Sequence, residues 1–387
     1  MQLIEVTTEA HRKEFLQMAV RLYSNEKNWI RPLDNDIEGL FDPSSNKLFK
    51  SGAKAIRWLL QDDNGQTIGR NAAFINPKWK EKQPTGGMGF FECINDSNAA
   101  FKLFDAARDW LMEQGMEAMD GPVNLGERDK WWGLLVDGFS PPNYNMHWNF
   151  GYYRELYEAY GFQVYFKQYT YMREVRGVHI EEKMEERAKQ ILADPDFHFR
   201  YLKGKELWER FPEYFMKVYN QAWTRMMGKT ISEREAKLIL AKMKPVIDPH
   251  LVYFGFHKNE PVSFFISIPE INQIFKYVDG KLDFLGKLKF LWYKTLNPPD
   301  KMLGLVFGVI PKFQGKGVES AMAISYRDTI AEKKLAYKTF ELNWIGDFNP
   351  KMMRVCEQIN AKIYKTHHTY RYLFDREKPF ERHTILS

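Results

Sequence analysis

Two cysteines, Cys93 and Cys356, are all that 387 residues contain. That excludes a disulfide framework and a cysteine-rich metal site. The nine histidines form no His-Glu-x-x-His motif and no close His/Asp cluster, so no metal is expected. No stretch approaches the ~18–20 apolar residues of a membrane span. The first fifteen residues, Met1 to Phe15, lack a basic segment followed by an apolar one, so no secretory signal is expected. A reduced, cytoplasmic protein is the expectation. Charge of one sign is also scarce: 56 basic against 50 acidic residues leave +6. That surplus is too small and too dispersed for a dedicated nucleic-acid binder, although it permits an anionic ligand. There is no Gly-x-Ser-x-Gly elbow, which weighs against a serine hydrolase.

What is present is a globular composition, 44% hydrophobic and 27% charged, with an aromatic share of 16%. At roughly 150 residues per domain the length suggests two domains, at most three. Hydrophobic patterning predicts strands over 55–60 and 67–75, joined by Asp62-Asp63-Asn64-Gly65, a hairpin turn. A strand over 88–94 leads into Asn95-Asp96-Ser97, an N-cap cluster, and an amphipathic helix to about Gln114 that ends at Gly115. A strand follows over 117–121. Residues 124–149 read as a long loop holding Trp131, Trp132, Tyr144 and Trp148, which with Tyr152 and Tyr153 either anchor it or line a pocket. A helix over 152–160 and a strand over 168–173 close this half. A charged helix over 181–193 reads as the connector. Helices over 206–227 and 233–242 follow, then strands over 251–256 and 262–268 and a long loop to about Pro299. A strand over 302–310, a helix over 318–334, a strand over 339–344, a helix over 350–359 and a strand over 370–374 complete the pattern. The two halves share one order, with Asn149 and Asn349 each preceding a helix, so an internal duplication spaced by about 200 residues is expected. Lys281 to Lys294 mixes Leu, Phe and Trp with four lysines. It is expected to pack on the core with its lysines in water; lying on a membrane surface is the alternative.

The most informative stretch is Gly308 to Ser320, GVIPKFQGKGVES. A buried strand runs into a glycine-containing turn, and a helix starts at once. Free backbone N–H groups and the positive end of a helix dipole then converge on one point, which suits a phosphate. Glycine lets the backbone approach the anion closely, and Lys316 adds positive charge. The loop is neither a P-loop nor a dinucleotide fingerprint.

Gln314-Gly315-Lys316-Gly317, after a strand and opening a helix, resembles the Q/R-x-x-G-x-G/A signature of the GNAT acyltransferase superfamily. The following strand and the Asn349 helix fit the same pattern, and the first half resembles it through residues 88–94, 99–114 and 149–162. The resemblance covers most of the chain. It implies an α+β fold of two tandem GNAT-like domains, about 1–175 and 176–387, each a mixed, mostly antiparallel sheet flanked by helices. It also implies an acyl-coenzyme A, acetyl-coenzyme A first, as co-substrate. The residues it assigns to that ligand are Val309, Gln314, Gly315, Lys316, Gly317, Val318, Ser320 and Asn349. The expected activity is acyl transfer to an amine of a small molecule, by a monomer or homodimer. A long-chain acyl or aminoacyl transferase and a non-catalytic coenzyme A-binding protein are the alternatives.

Three departures stand out. Glu319 replaces the last small residue of the signature, Cys356 stands where many relatives keep a general-acid tyrosine, and Asn360-Ala361 replaces a Gly-Phe pair. The first half lacks the phosphate signature but keeps Tyr157 at the general-acid position. Glu92 and Glu341 lie on strands that suit a general base, or a carboxylate paired with a neighbouring Arg or Lys. The candidate catalytic residues are therefore Glu92, Glu341 and Tyr157.

Overall fold

The computed structural model describes residues 1–79, 82–126, 130–177, 179–227 and 230–385, with residues 223–227 described by backbone alone. The first half comprises β1 (Gln2–Glu5), α1 (Glu9–Leu22), α2 (Asp34–Phe41), β2 (Lys54–Gln61), β3 (Thr67–Ile75), β4 (Thr85–Cys93), α3 (Ser97–Glu113), β5 (Ala118–Gly121), β6 (Leu134–Asp137), α4 (Tyr153–Tyr160) and β7 (Gln163–Glu174). The second comprises α5 (Glu182–Leu192), β8 (Phe197–Tyr201), α6 (Lys205–Met227), α7 (Glu233–Met243), β9 (Val252–His257), β10 (Glu260–Pro269), α8 (Asn272–Phe275), α9 (Phe284–Leu296), β11 (Lys301–Val309), α10 (Val318–Glu332), β12 (Thr339–Gly346), α11 (Pro350–Gln358) and β13 (Lys362–Leu373).

Local chemistry accounts for the turns. Gly65, at φ +80°, closes the β2–β3 hairpin, where its N–H donates to Asp62 O at 3.1 Å. Lys258 and Asn259, both at positive φ, make the two-residue turn between β9 and β10. The α3 helix is capped by Asp96, whose Oδ1 accepts from Ala99 N–H at 2.8 Å. Ala99, Leu103, Phe104, Ala107 and Leu111 line its buried stripe.

All the strands among the described residues join one sheet, in the order β1-β2-β3-β4-β5-β13-β7-β12-β11-β10-β9-β8, with β6 beside β13. The final strand of each half pairs with the other half. Antiparallel β7 runs along β12, from Thr339↔Glu174 to Gly346↔Gln168. Antiparallel β13 runs along β5, from Tyr370↔Gly121 to Leu373↔Ala118. The sheet is therefore continuous across the two halves. Cores lie on both faces: α3 and α4 cover the first half's sheet, α5, α10 and α11 cover one face of the second half's, and α6 and α7 cover the other.

Three expectations are corrected. The 124–149 loop contains β6, held through β13 rather than by a sequence neighbour. The segment before Pro299 contains α8 and α9. The last strand begins at Lys362, eight residues before Tyr370, because it pairs along the whole of β7 and needs no alternation of its own. The 281–294 stretch packs on the core through Phe290 with its lysines exposed, as expected, but it also leaves a second apolar face uncovered. On α9 only Gly286 and Phe290 are buried, and the remaining leucines, Phe284 and Trp292 face outward.

Candidate functional site

A wedge opens in the sheet between β11 and β12. The two strands pair in parallel from Lys301↔Thr339 to Gly304↔Leu342, and then pairing ends. At that point β11 carries an extra residue: Ile266 pairs with Val306 while Ser267 pairs with Gly304. The unpaired residue is Leu305, 43% exposed although it lies within the sheet. A bulge bends a strand and increases its twist, which drives β11 away from β12 here. Further along, Ile310 N–H donates to Val262 O at 3.0 Å. Ladder alternation then turns the Val309 N–H the other way, toward the wedge.

The mouth of the wedge is the predicted phosphate loop. Gly315 and Gly317 sit at φ +72° and +95°, conformations that favour glycine. Gly317 is the N-cap of α10, and no side chain caps that helix. Its first N–H groups, those of Val318, Glu319 and Ser320, are thus free of a side-chain cap and converge on one side of the loop. Lys316 is exposed beside them. Gln314 is not aimed at an anion; its Nε2 donates to Val309 O at 2.7 Å and braces the turn. Glu319 folds back, and its Oε1 accepts from Gly315 N–H at 3.1 Å. A carboxylate therefore occupies one of the amides the signature would offer to phosphate. Asn349 is the cap of α11, its Oδ1 accepting from Met352 N–H. A groove of about 800 Å³ lies between α5 and the end of α11, lined by Lys183, Arg187, Arg354 and Gln358 among others. It borders the loop, since a Cβ on Gly317 would lie 3.0 Å from Arg187 O.

The first half has the same plan with its wedge filled. β4 and β5 pair from Thr85↔Ala118 to Gly87↔Asp120. Beyond that, Val123 N–H donates to Met88 O at 2.9 Å, bridging the strands. A Cβ on Gly89 would lie 1.7 Å from Val123 O, so backbone fills the gap. Phe90 packs against Phe41 and Trp131. Asp96 already takes the helix N–H that an anion would use. Tyr157 is fully buried among Phe91, Phe104 and Phe162, its hydroxyl 3.9 Å from Met88 Sδ.

The two candidate carboxylates occupy separate buried networks. Glu92 accepts from the hydroxyls of Tyr23 and Tyr153 and pairs with Arg70 at 3.5 Å. Burial raises its pKa above the ordinary value, with Arg70 and the two tyrosines opposing. It serves the first half's core. Glu341, 1% exposed, lies one position before the last β11–β12 pair, with Lys301 Nζ at 2.5 Å, Lys365 Nζ at 3.3 Å and Asn143 Nδ2 at 2.6 Å. Burial alone would raise its pKa, but the two lysines outweigh it and hold the carboxyl below its usual value. Burial lowers the pKa of the Lys365 ammonium, with Glu341 opposing. Glu270 is buried alongside, accepting from the backbone N–H of Tyr144 and Asn272. Sequence reading missed Lys301, Lys365, Glu270 and Asn143. Lys365 gave a faint signal, being a lysine inside a continuous run of strand-forming residues.

The aromatic loop proves to be anchored. Trp131, Trp132, Trp148 and Tyr153 are buried, and Tyr144 donates to Asp36 Oδ2 at 2.6 Å. Cys356 is a fully buried core residue, its thiol pushed up to about 12 by burial. Among the described residues no His, Cys, Asp and Glu side chains group in a way that would hold a metal ion.

A strand, a bulge, a glycine turn, an uncapped helix and a wedge toward the next strand, set in a duplicated architecture, define a known fold. Among solved structures, a tandem GNAT protein from the clavulanic acid biosynthesis pathway superposes with a TM-score of 0.51 at 10% identity, over 96% of this chain and 98% of that one. The fold is the tandem GNAT fold. A GCN5-related glucosamine N-acetyltransferase region of a fungal multi-domain β-N-acetylglucosaminidase gives 0.55 at 10% identity over 96% of this chain, which spans 38% of the fungal chain. No family model matches the chain. Two curated proteins are similar over nearly their whole length. The bacterial ceramide synthase of Caulobacter vibrioides is 27% identical over 379 residues, covering 96% of this chain and 97% of that one. Protein YghO of Escherichia coli is 23% identical over 369 residues, covering 92% of each. In GNAT terms, the open wedge belongs to the second half and the filled one to the first.

Proposed function

We propose that this tandem GNAT protein transfers an acyl group from an acyl-coenzyme A to the primary amine of an amphiphilic acceptor. The observation that carries the reading is the asymmetry between the halves: the second keeps a wedge opened by the Leu305 bulge and faced by uncapped α10, and the first has filled its own. The relative named bacterial ceramide synthase favours a long-chain amine and acyl group over acetyl transfer to a soluble amine.

In this reading the amides of Val318 to Ser320, with Lys316, hold the pyrophosphate. The groove beside α5, where Lys183, Arg187 and Arg354 outnumber Glu181 and Glu357, takes the nucleotide end, and the acyl arm enters the wedge past Leu305. The neutral amine attacks the thioester carbonyl carbon. The Val309 N–H stabilises the oxyanion, the carbon–sulfur bond breaks, an amide forms, and the nitrogen's proton leaves to Glu341 or water while the thiolate departs. The paired Glu341 is a weak base as it stands, and a proton route through water suits the geometry better. The first half, 1–175, then shapes the acceptor side through Asn143 and Tyr144.

The test is thermal stability with acetyl-, octanoyl- and palmitoyl-coenzyme A, followed by thiol release with a long-chain amine. A ligand at ~100 times its Kd stabilises by about 2.7 kcal/mol. Stabilisation and release are expected to be greatest with the long-chain donor. No stabilisation by any of the three would end the reading. Binding with no release on any amine would favour the non-catalytic alternative, to which the Glu319 contact with Gly315 also points.

A further inference from the structure

We infer that α9 docks the protein on an anionic phospholipid bilayer, lying flat in the interface. Among the described residues, six of the sixteen exposed large hydrophobics belong to this one helix: Phe284 (74%), Leu285, Leu288, Leu291, Trp292 (64%) and Leu296. Single exposed leucines are ordinary, but a contiguous apolar patch marks a surface that is covered in use. At 100° per residue, these six fall within an arc of about 140°. Gly286, Phe290 and Tyr293 point the opposite way. There Phe290 packs with Ile274, Phe275 and Leu33. The helix is thus fixed to the protein by one apolar face and presents a second outward.

Charge selects the occupant. Lys287 and Lys294 flank one side of the outward arc and Lys289 the other, Lys281 precedes the helix, and Phe284–Leu296 contains no carboxylate. A second copy of the chain would have to bring lysines against lysines across a two-fold axis. Anionic lipid headgroups meet the lysines while acyl chains receive the apolar arc, the arrangement of an interfacial helix. The helix has 13 residues and so is about 20 Å long, too short to cross a bilayer. No helix among the described residues is long and apolar enough to do so.

The docked face adjoins the acceptor side. Tyr144 packs into the cluster beneath α9, its N–H donates to Glu270, and its neighbour Asn143 reaches Glu341. Docking would therefore bring that side to the membrane, where a long-chain amine resides. This last step rests on the proposed function, whereas the docking itself does not.

The test is co-sedimentation of the full chain with vesicles of phosphatidylcholine alone or mixed with phosphatidylglycerol. Wild type is expected to pellet with the mixed vesicles and to stay largely in solution with the neutral ones. Combining Leu285→Ser, Leu288→Ser, Leu291→Ser and Trp292→Ser is expected to abolish pelleting without changing Tm, since all four side chains are exposed. Lys287→Gln with Lys289→Gln is expected to weaken binding about 25-fold, at about fivefold per lysine. Lys294 is left intact because its Nζ donates to Pro245 O. Wild type remaining in solution with mixed vesicles, equal pelleting with neutral ones, or undiminished pelleting of the serine variant would overturn the inference. So would a wild-type dimer that the serine variant turns into a monomer, since the face would then belong to a second copy. Acyl-coenzyme A stabilisation, measured on the same samples, reads the functional proposal separately. Pelleting without it leaves docking standing and removes the function, and the converse removes docking alone.

Discussion

Replacing Glu319 by alanine should tighten coenzyme A binding, the reverse of what removing a residue from a binding loop usually does. Two contributions set the size. Glu319 Oε1 holds the Gly315 N–H at 3.1 Å, so an incoming phosphate must either displace it or forgo that amide. Releasing the amide contributes about 1 kcal/mol. A phosphate oxygen on the same loop would also sit about 4–6 Å from the carboxylate, where repulsion in a water-exposed setting is about 1 kcal/mol per charge. Together these predict about 2 kcal/mol, or roughly a 30-fold lower Kd for free coenzyme A. The unliganded protein should move the other way, because an acidic residue in the first turn of α10 stabilises the helix by about 0.3–1 kcal/mol. Titration calorimetry at moderate salt gives Kd, and a thermal scan gives the opposite shift in Tm. The gain should shrink at high salt as the repulsion is screened. A Kd that is unchanged or higher in Glu319→Ala would refute the placement of the phosphate on this loop.

Leu305→Trp should plug the wedge: because Leu305 is 43% exposed, Tm should hold while coenzyme A stabilisation disappears, and retained stabilisation would place the acyl arm elsewhere. Glu341→Gln removes the shared partner of buried Lys365 and half-buried Lys301 and should cost about 3–5 kcal/mol in denaturant unfolding, partly recovered by adding Lys365→Met; a loss under about 1 kcal/mol would show that the cluster does not hold the halves together. Burial pushes His367 down to about 3 and His147 to about 4, and both rings are therefore neutral in the fold. Their folded pKa values lie below the unfolded value of ~6.5, so the stability they contribute is present above pH ~6.5 and is lost as pH falls toward 4 and then 3. At pH 5 the two together should forfeit about 4 kcal/mol. Ring-proton NMR should show neither titrating above pH ~5, and a midpoint near 6.5 for either would contradict the burial.

Much of the local structure was legible because short-range chemistry writes it. Asn64-Gly65 makes its hairpin, Asp96 caps its helix, and the Gly315–Gly317 turn opens α10 as the pattern requires. The glycine turn before α10 could be read because it lies within a few residues of contiguous sequence, and the repeated order of elements because each element carries its own local pattern. The α9 lysines and leucines were legible as an amphipathic pattern, but the sequence could not say which apolar face met the protein. That depends on whether Phe290 or Leu288 finds a partner, and the partners, Leu33 and Ile274, lie far away in the chain or across a turn.

Contiguous sequence carries the repeated order of elements that resembles tandem GNAT proteins, the location of the glycine turn and the lack of such a turn in the first half. Long-range packing sets how the halves are joined, by β7 and β13 each pairing across to the other half. It also decides which wedge stays open and that Glu341 shares its charge with Lys301 and Lys365. The reason is physical. Turns and caps are set by φ, ψ and side chains a few residues apart, whereas strand partners, filled gaps and buried ion pairs depend on residues far apart along the chain, 198 positions for Asn143 and Glu341 and 251 for Asp120 and Arg371.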